Sequence, residues 1–226
     1  MRPASPSSEE ELLARAETMS GKTLQHIAAL LDEPVPADQS RYKGWTGELL
    51  ERFLGATAST LPEPDFQAIG VELKSLPLNR NGRPRESTYV CTVPMDPEDL
   101  GNWQSCAVRR KLARVLWVPV EADPVLSLGQ RRIGSAILWS PDLQQERQLR
   151  EDWEELTGMI AVGELEQITA GHGQILQIRP KAADGGVLRK GPVGDADMSL
   201  TLPRGFYLRT SFTASILKQV SGKTDH

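Results

Sequence analysis

Cysteine and histidine are scarce in this sequence, and the motifs of several common chemistries are missing. Its two cysteines, Cys91 and Cys106, are too few for a disulfide framework and wrongly spaced for a zinc knuckle. They are expected to be reduced, half-buried fillers. Of the three histidines, His26 falls in a predicted helix, His172 lies between glycines and His226 ends the chain, so none belongs to a base-and-nucleophile arrangement. HExxH, GxSxG and GxGxxG are absent. The tetrapeptide SGKT occurs at Ser20 and again at Ser221, but Ala16 and Leu217 stand where a phosphate loop carries its first glycine. No run approaches the ~18 apolar residues of a membrane helix, and the opening MRPASPSSEEELLARAE has acids where a secretory signal has a greasy stretch. A cytoplasmic protein with no membrane partner is therefore expected. Internal repeats and low-complexity tracts are missing as well.

What is present suffices for a core. At 226 residues and 39% hydrophobic content, the chain can bury one domain or two small lobes. Its net charge of −4 conceals an uneven distribution. From Gly171 to His226 eight bases, Arg179 and Lys181 among them, face four acids; that stretch is net +4, which leaves −8 for the remainder. Arg109, Arg110, Lys111 and Arg114 form a second basic knot. The acids gather in Glu9 to Glu11 and in Asp142 to Glu155, where they read as solvated helix faces. Local basic patches on an acidic protein suit a polyanion met on one side only.

Helices and strands alternate along the chain. Ser8 with Glu11 forms a capping box, and Leu12, Leu13 and Ala16 begin a helical stripe that stops near Gly21. Thr23 opens a second helix. Gly44 to Leu54 reads as a third, closed by Gly55, with Leu50, Phe53 and Leu54 as its apolar stripe and Glu51 about 60° around from Leu54. Strands are expected at Ile69 to Leu76, Ser87 to Val93, Arg114 to Val120 and Ile133 to Trp139, joined in one central sheet. Ser140-Pro141 reads as the start of a long helix buried through Leu149, Trp153, Leu156 and Ile160. Two further strands, Gln174 to Ile178 and Phe206 to Arg209, flank a Gly- and Asp-rich loop, and Thr210 or Ser211 caps a final helix. Trp117, Trp139 and Trp153 fall on apolar faces and read as packing residues.

The chemistry concentrates in "PDFQAIGVELKS", Pro64 to Ser75. Residues two apart on a strand share a face, so Glu72 and Lys74 point one way while Val71 and Leu73 point the other. Pro64-Asp65, in a turn just upstream, can set a second carboxylate beside Glu72. Two carboxylates about 4 Å apart repel by about 4 kcal/mol at an effective dielectric of 20, which a divalent cation more than offsets. Magnesium, held by a few oxygens and keeping several waters, suits such a pair and suits phosphate chemistry. Lys74 could orient the attacking water or neutralise charge on the phosphate. The competing reading of the same residues is an exposed strand face with a weak Glu-Lys contact.

The string fits the P-D-x6-E-L-K signature of restriction-endonuclease-like nucleases, and its surroundings resemble the MutH family. The resemblance runs in order through "KGWTGELLERFLGA", "RRKLARVLWVPVE", "QRRIGSAILWSP", "RQLREDWEEL", "QIRPKAA" and "LTLPRGFYLR", from about Ser8 to Phe212. It implies a mixed α/β fold, a central sheet flanked by helices, in a single endonuclease domain over 1–226 whose two lobes form a DNA-binding cleft. The catalytic residues would lie mainly in 43–121 and the recognition elements in 171–212. It implies nicking of the unmethylated strand at hemimethylated GATC sites in methyl-directed mismatch repair, with Mg2+ as cofactor, MutL as activator and MutS acting indirectly. Carried over by position, Asp65 and Glu72 would hold the metal together with the backbone carbonyl of Leu73. Lys74 would be the catalytic lysine, Glu51 an additional catalytic acid near the metal and counted among its ligands, Lys111 a catalytic lysine at the active-site and DNA side of the cleft, and Lys43 a residue that approaches the phosphate. Arg179, Pro180 and Lys181 would enter the groove, and Tyr207 would lie near the adenine whose methylation is sensed. Arg and Lys suit the guanine O6 and N7 acceptors, and the adenine N6 amino group is exposed in the major groove. Read without the resemblance, Tyr207 is a core tyrosine on a half-buried strand.

The ending "SILKQVSGKTDH" and the Asp184 to Ser199 loop depart from the family pattern, which bears on partner coupling more than on chemistry. Three other readings stay open in the sequence: a restriction-type enzyme cutting both strands at GATC without partners, a catalytically silent GATC-binding module, and a structural adaptor using the Asp142 to Glu155 helix. A nick in one strand at a time needs only a monomer.

Overall fold

The computed structural model describes residues 3–37, 44–58, 63–94, 96–181, 189–193, 197–201 and 203–221. The chain divides into two compact units, the first comprising Met1–Glu86, Ala113–Ser140 and Gln219–His226, the second Ser87–Leu112 and Pro141–Lys218. Among the described residues no helix is long and apolar enough to cross a membrane.

The first unit begins with three helices whose ends are set by local chemistry. Helix α1 (Glu9–Met19) starts where the Ser8 side chain accepts the Glu11 N–H at 3.2 Å. The expected capping box is only half formed: Glu11 turns its carboxylate to the N–H and hydroxyl of Ser7, at 2.7 and 2.9 Å. Leu12, Ala16 and Met19 are buried, whereas Leu13 is 37% exposed. Helix α2 (Leu24–Leu30) is capped by Thr23, as expected. Helix α3 (Trp45–Leu54) ends at Gly55, whose φ of 86° puts it in the left-handed region. A Cβ there would lie 2.6 Å from the Ala4 carbonyl oxygen, so only glycine closes this helix.

Strand β1 (Glu72–Leu78) pairs in parallel with β3 (Val115–Glu121), from Glu72 opposite Val115 to Leu78 opposite Glu121, and β4 (Ile137–Trp139) runs antiparallel on the far side of β3. Every residue from Val115 to Val120 is buried, the mark of a central strand covered on both faces. Leu49, Leu50 and Leu54 of α3 pack into one cluster with Phe66, Val71, Leu73, Leu116 and Val118. This packing seats α3 against β1, and the site grows from that contact.

In the second unit, β2 (Thr88–Thr92), β8 (Arg204–Leu208) and β5 (Leu176–Pro180) form an antiparallel sheet with β8 in the middle. Strands β6 (Arg189–Val193) and β7 (Asp197–Thr201) pair as a separate hairpin. Helices α4 (Ala107–Leu112), α5 (Leu143–Ala161) and α6 (Thr210–Ser221) complete the architecture. The tryptophans are packing residues: Trp103 meets Trp153 at 5.9 Å in the second unit and Trp117 meets Trp139 at 6.1 Å in the first.

Five further expectations need correction. The strands do not join one central sheet; among the described residues they form two three-stranded sheets and a hairpin, because β2 finds its partner in β8, far along the chain. Strand β1 starts at Glu72 rather than Ile69, since Gly70 turns the chain with φ 67°. The long helix starts from Asp142, which accepts the N–H groups of Gln144 and Gln145, while the Ser140 hydroxyl donates to the Ala113 carbonyl instead. Finally, the acids of 142–155 are not all on a solvated face: Asp152 is 2% exposed. The two cysteines are fully rather than half buried.

Candidate active site

A short hairpin builds the site. Phe66 and Val71 exchange backbone hydrogen bonds, Phe66 N–H to Val71 O at 2.9 Å and Val71 N–H to Phe66 O at 3.3 Å, and Gly70 supplies the positive φ that closes the loop. The next pair outward from that bridge is Asp65 opposite Glu72. The Asp65 carboxylate accepts the Leu73 N–H at 2.8 Å, and the Asp65 carbonyl accepts the N–H groups of Thr57 and Ala58 at 2.8 and 3.3 Å. The exit of α3, the hairpin and the start of β1 are thus tied together at Asp65.

Strand alternation then sorts the side chains. Val71 and Leu73 enter the core cluster. Lys74 donates to a Glu72 carboxylate oxygen at 2.7 Å, with side chains only 14% and 2% exposed. An ion pair this enclosed is weakly screened by solvent. Glu72 N–H bonds to the Arg114 carbonyl on the β3 side. Peptide groups alternate along a strand, so the N–H and C=O of Leu73 point to the opposite edge, where Asp65 stands. The Leu73 carbonyl therefore lies on the same edge as the Asp65 carboxylate.

Glu51, half-buried on α3, adds negative charge. Burial raises its carboxyl to about 7, and the nearby charges of Asp65, Glu48 and Glu72 push the same way, with Lys74 opposing them. Burial first, and neighbouring carboxylates second, keep a proton on Glu51 near neutrality, and the repulsion among the carboxylates is what a divalent cation relieves. Among the described residues no set of three or more His, Cys, Asp or Glu side chains forms a ready cation cage. The donors that fit a hard cation are instead two carboxylates, Asp65 and Glu72, and the Leu73 carbonyl, with Glu51 as a neighbouring charge. That oxygen-only set suits magnesium, which keeps several of its waters.

The remaining predicted residues lie in the second unit or outside the described residues. Lys43 is among the latter. Lys111 is partly exposed on α4 beside Arg109 and Arg110. Arg179 and Pro180 end β5, both exposed. Arg179 donates to the Ser87 hydroxyl at 2.6 Å and lies 6.0 Å from the Tyr207 ring centre. Lys181 donates to the Thr92 hydroxyl at 3.2 Å and stands 4.8 Å over the Tyr89 ring. Tyr207 is partly exposed on β8, edge-on to Tyr89 at 5.4 Å.

Tyr89 was not anticipated. The alternation of β2 turns it away from Val90, but only the cross-strand register, Tyr89 opposite Tyr207, reveals its company. Gly205 makes room for the pair: a Cβ there would sit 2.8 Å from the Tyr89 ring and 3.1 Å from that of Tyr207. The result is a patch of two cations over two aromatic rings, suited to phosphates and base edges.

Comparison with known proteins gives these two groups a context. A family described as "DNA mismatch repair enzyme MutH" matches residues 54–152, a span holding Asp65, Glu72, Lys74 and Lys111. The DNA mismatch repair protein MutH of Klebsiella pneumoniae strain 342 is 51% identical over 212 residues, covering 94% of this chain and 92% of that protein. The protein of the same name from Escherichia coli strain K12 is also 51% identical over 212 residues, covering 94% and 93%.

Proposed function

We propose, from the premise that the chain belongs to the MutH family of DNA mismatch repair enzymes, that it is a magnesium-dependent endonuclease nicking the unmethylated strand at hemimethylated GATC sites. The observation that carries this reading is the hairpin that sets Asp65 against the Leu73 N–H and opposite Glu72, with Lys74 on the Glu72 carboxylate at 2.7 Å. Asp65, Glu72 and the Leu73 carbonyl would hold magnesium, with Glu51 as the additional acid. When bound, the ion polarises the scissile phosphate and acidifies a water.

The chain's own residues supply the rest. Lys74, paired with Glu72 in a largely enclosed position, would orient the attacking water and neutralise charge developing on the phosphate. Glu51, with its carboxyl near 7, can hold or release a proton at neutral pH. Lys111 and Lys43 would contact the DNA backbone, which positions the duplex without reading it. Arg179, Pro180 and Lys181 would enter the major groove and Tyr207 would meet the adenine, where an N6 methyl group alters both shape and donor count. Activation by MutL, with MutS acting through it, action as a monomer and a cytoplasmic location belong to the same proposal.

The test is nicking of a supercoiled plasmid with one hemimethylated GATC site, with and without magnesium and MutL. Glu72→Ala and Lys74→Ala should abolish nicking. Equal nicking by wild type and both variants would remove this site from the mechanism. Cleavage of both strands without MutL would point to a restriction-type enzyme, and GATC binding without cleavage to a silent module.

A further inference from the structure

We propose that Asp152 and Arg209 are positioning residues that grip the loop entering β5 from opposite sides and so fix the strands that read DNA. The inference deepens the DNA-recognition part of the function proposed above and rests on it.

Three observations converge on this loop. First, four consecutive backbone N–H groups point at carboxylates of α5. Gly173 donates to Glu155 at 3.1 Å, Gln174 and Ile175 donate to the two oxygens of Asp152 at 2.9 and 2.7 Å, and Leu176 donates to Asp152 at 2.8 Å. Asp152 also accepts the Gln148 side-chain amide at 2.9 Å and is 2% exposed. Second, Arg209 takes the carbonyls of the same loop. One guanidinium nitrogen lies 2.7 Å from Ala170 O and 2.9 Å from both His172 O and Gly173 O, while the Arg209 N–H donates to Ile175 O at 2.8 Å. Third, Gly173 has φ 69°, and a Cβ there would lie 2.0 Å from the Leu176 carbonyl oxygen. The loop thus has one backbone path, with its donors facing an acid and its acceptors facing a base.

Such a grip exceeds what anchoring a surface loop needs, since a single capping bond does that. Its location explains the excess. The loop runs directly into β5, whose Arg179 lies three residues past Leu176, about 10 Å of extended strand. Arg209 follows β8 at once, two residues past Tyr207. Leu176 pairs with Leu208 at the start of the β5–β8 ladder. Acid and base therefore set the end of the ladder where β5 begins and β8 finishes, the two strands that carry the predicted reading residues. Base-edge readout tolerates errors of only about 0.5 Å, and such precision requires a supporting shell locked by its own hydrogen bonds.

Asp152→Asn is the decisive variant, because it keeps shape while turning one acceptor into a donor that faces the loop N–H groups. Arg209→Met removes the nitrogen that meets the three loop carbonyls while keeping an unbranched side chain, and serves where Asp152→Asn fails to fold. Two readouts are taken on the full chain: binding of a GATC duplex against a duplex with one base changed, and nicking kinetics split into KM and kcat. The expected result for a folded variant is a loss of about tenfold or more in GATC preference and a matching rise in KM, with kcat at saturating DNA within about threefold. A merely structural role would lower thermal stability and leave preference and KM within about twofold, which would overturn the proposal. A fall in kcat with KM unchanged would overturn it too. If the wild type prefers GATC but does not nick, the nuclease reading fails while loss of preference in the variants still supports the clamp. If the wild type shows no GATC preference, the clamp has nothing to position and the inference falls.

Discussion

Replacing Glu51 by glutamine should stabilise the protein above neutral pH, even though the substitution removes a candidate site residue. In the folded protein the Glu51 carboxyl titrates near 7 against 4.5 for an unperturbed glutamate, because it is half-buried and close to Asp65, Glu48 and Glu72. Between those two values the folded state binds more protons than the unfolded state, so stability falls as pH rises through the window and stays reduced above it. Below pH 4.5 both states are protonated and the penalty vanishes. At about 1.4 kcal/mol for each pH unit, the full displacement corresponds to about 3 kcal/mol. Screening at the exposed part of the side chain reduces this to about 2 kcal/mol. Glu51→Gln should therefore match wild type at pH 4 and exceed it at pH 8.5 by about 2 kcal/mol, or roughly 4 to 8 °C in Tm for a chain of this size. Thermal melts across that range, without and with magnesium, check the claim. Magnesium should raise wild-type stability at pH 8.5 more than that of Glu51→Gln, since the ion relieves the repulsion that the glutamine has already removed. A variant no more stable than wild type at pH 8.5 would refute the electrostatic account of the site.

Lys74→Ala should lower the nicking rate by at least about a hundredfold at saturating DNA and magnesium, measured on the single-site plasmid, with the circular dichroism spectrum unchanged. Gly205→Ala should force the Tyr89 and Tyr207 rings apart, given the 2.8 and 3.1 Å approaches; discrimination between hemimethylated and fully methylated duplexes should weaken, read by competitive binding. Leu50→Ala, which empties a fully buried position in the core cluster, should cost about 2 to 5 kcal/mol in urea denaturation. Arg179→Ala should reduce GATC preference by about 1 to 3 kcal/mol, with a smaller effect on binding to unrelated DNA.

The parts legible in the sequence are those whose causes are local. Thr23 opens its helix by a hydrogen bond and Gly55 closes its own by dihedral freedom, each contained within a few residues. The juxtaposition of Asp65, Glu72 and Lys74 was legible for the same reason, since a tight turn and the period of two fix it from seven intervening positions. The division into separate sheets was not, because nothing in Thr88 to Thr92 names Arg204 to Leu208 as its partner. Tyr89 stayed hidden for that reason, its importance coming from a ring across the ladder. Asp152 was misread because helical spacing alone cannot tell a solvated acid from one that turns inward to a distant loop.

The edge position of β1 connects these scales. Among the described residues β1 has β3 as its only strand partner, with an isolated antiparallel bridge from Leu78 to Pro84 at its far end, which leaves the peptide groups near Leu73 facing outward. An open edge is normally a liability that proteins blunt. Here two of the outward positions, Leu73 and Pro77, have distinct uses. Pro77 has no N–H to leave exposed, and its carbonyl accepts the Arg85 N–H at 2.9 Å. Leu73 gives its N–H to Asp65, which both caps the edge and aims the carboxylate at the strand. The Leu73 carbonyl then faces the same way as that carboxylate, so the backbone itself becomes a candidate oxygen donor. A strand in the middle of a sheet would spend that carbonyl on a neighbour. The charged face of the motif is thus only half of its design; the other half is that the strand carrying it runs along an edge.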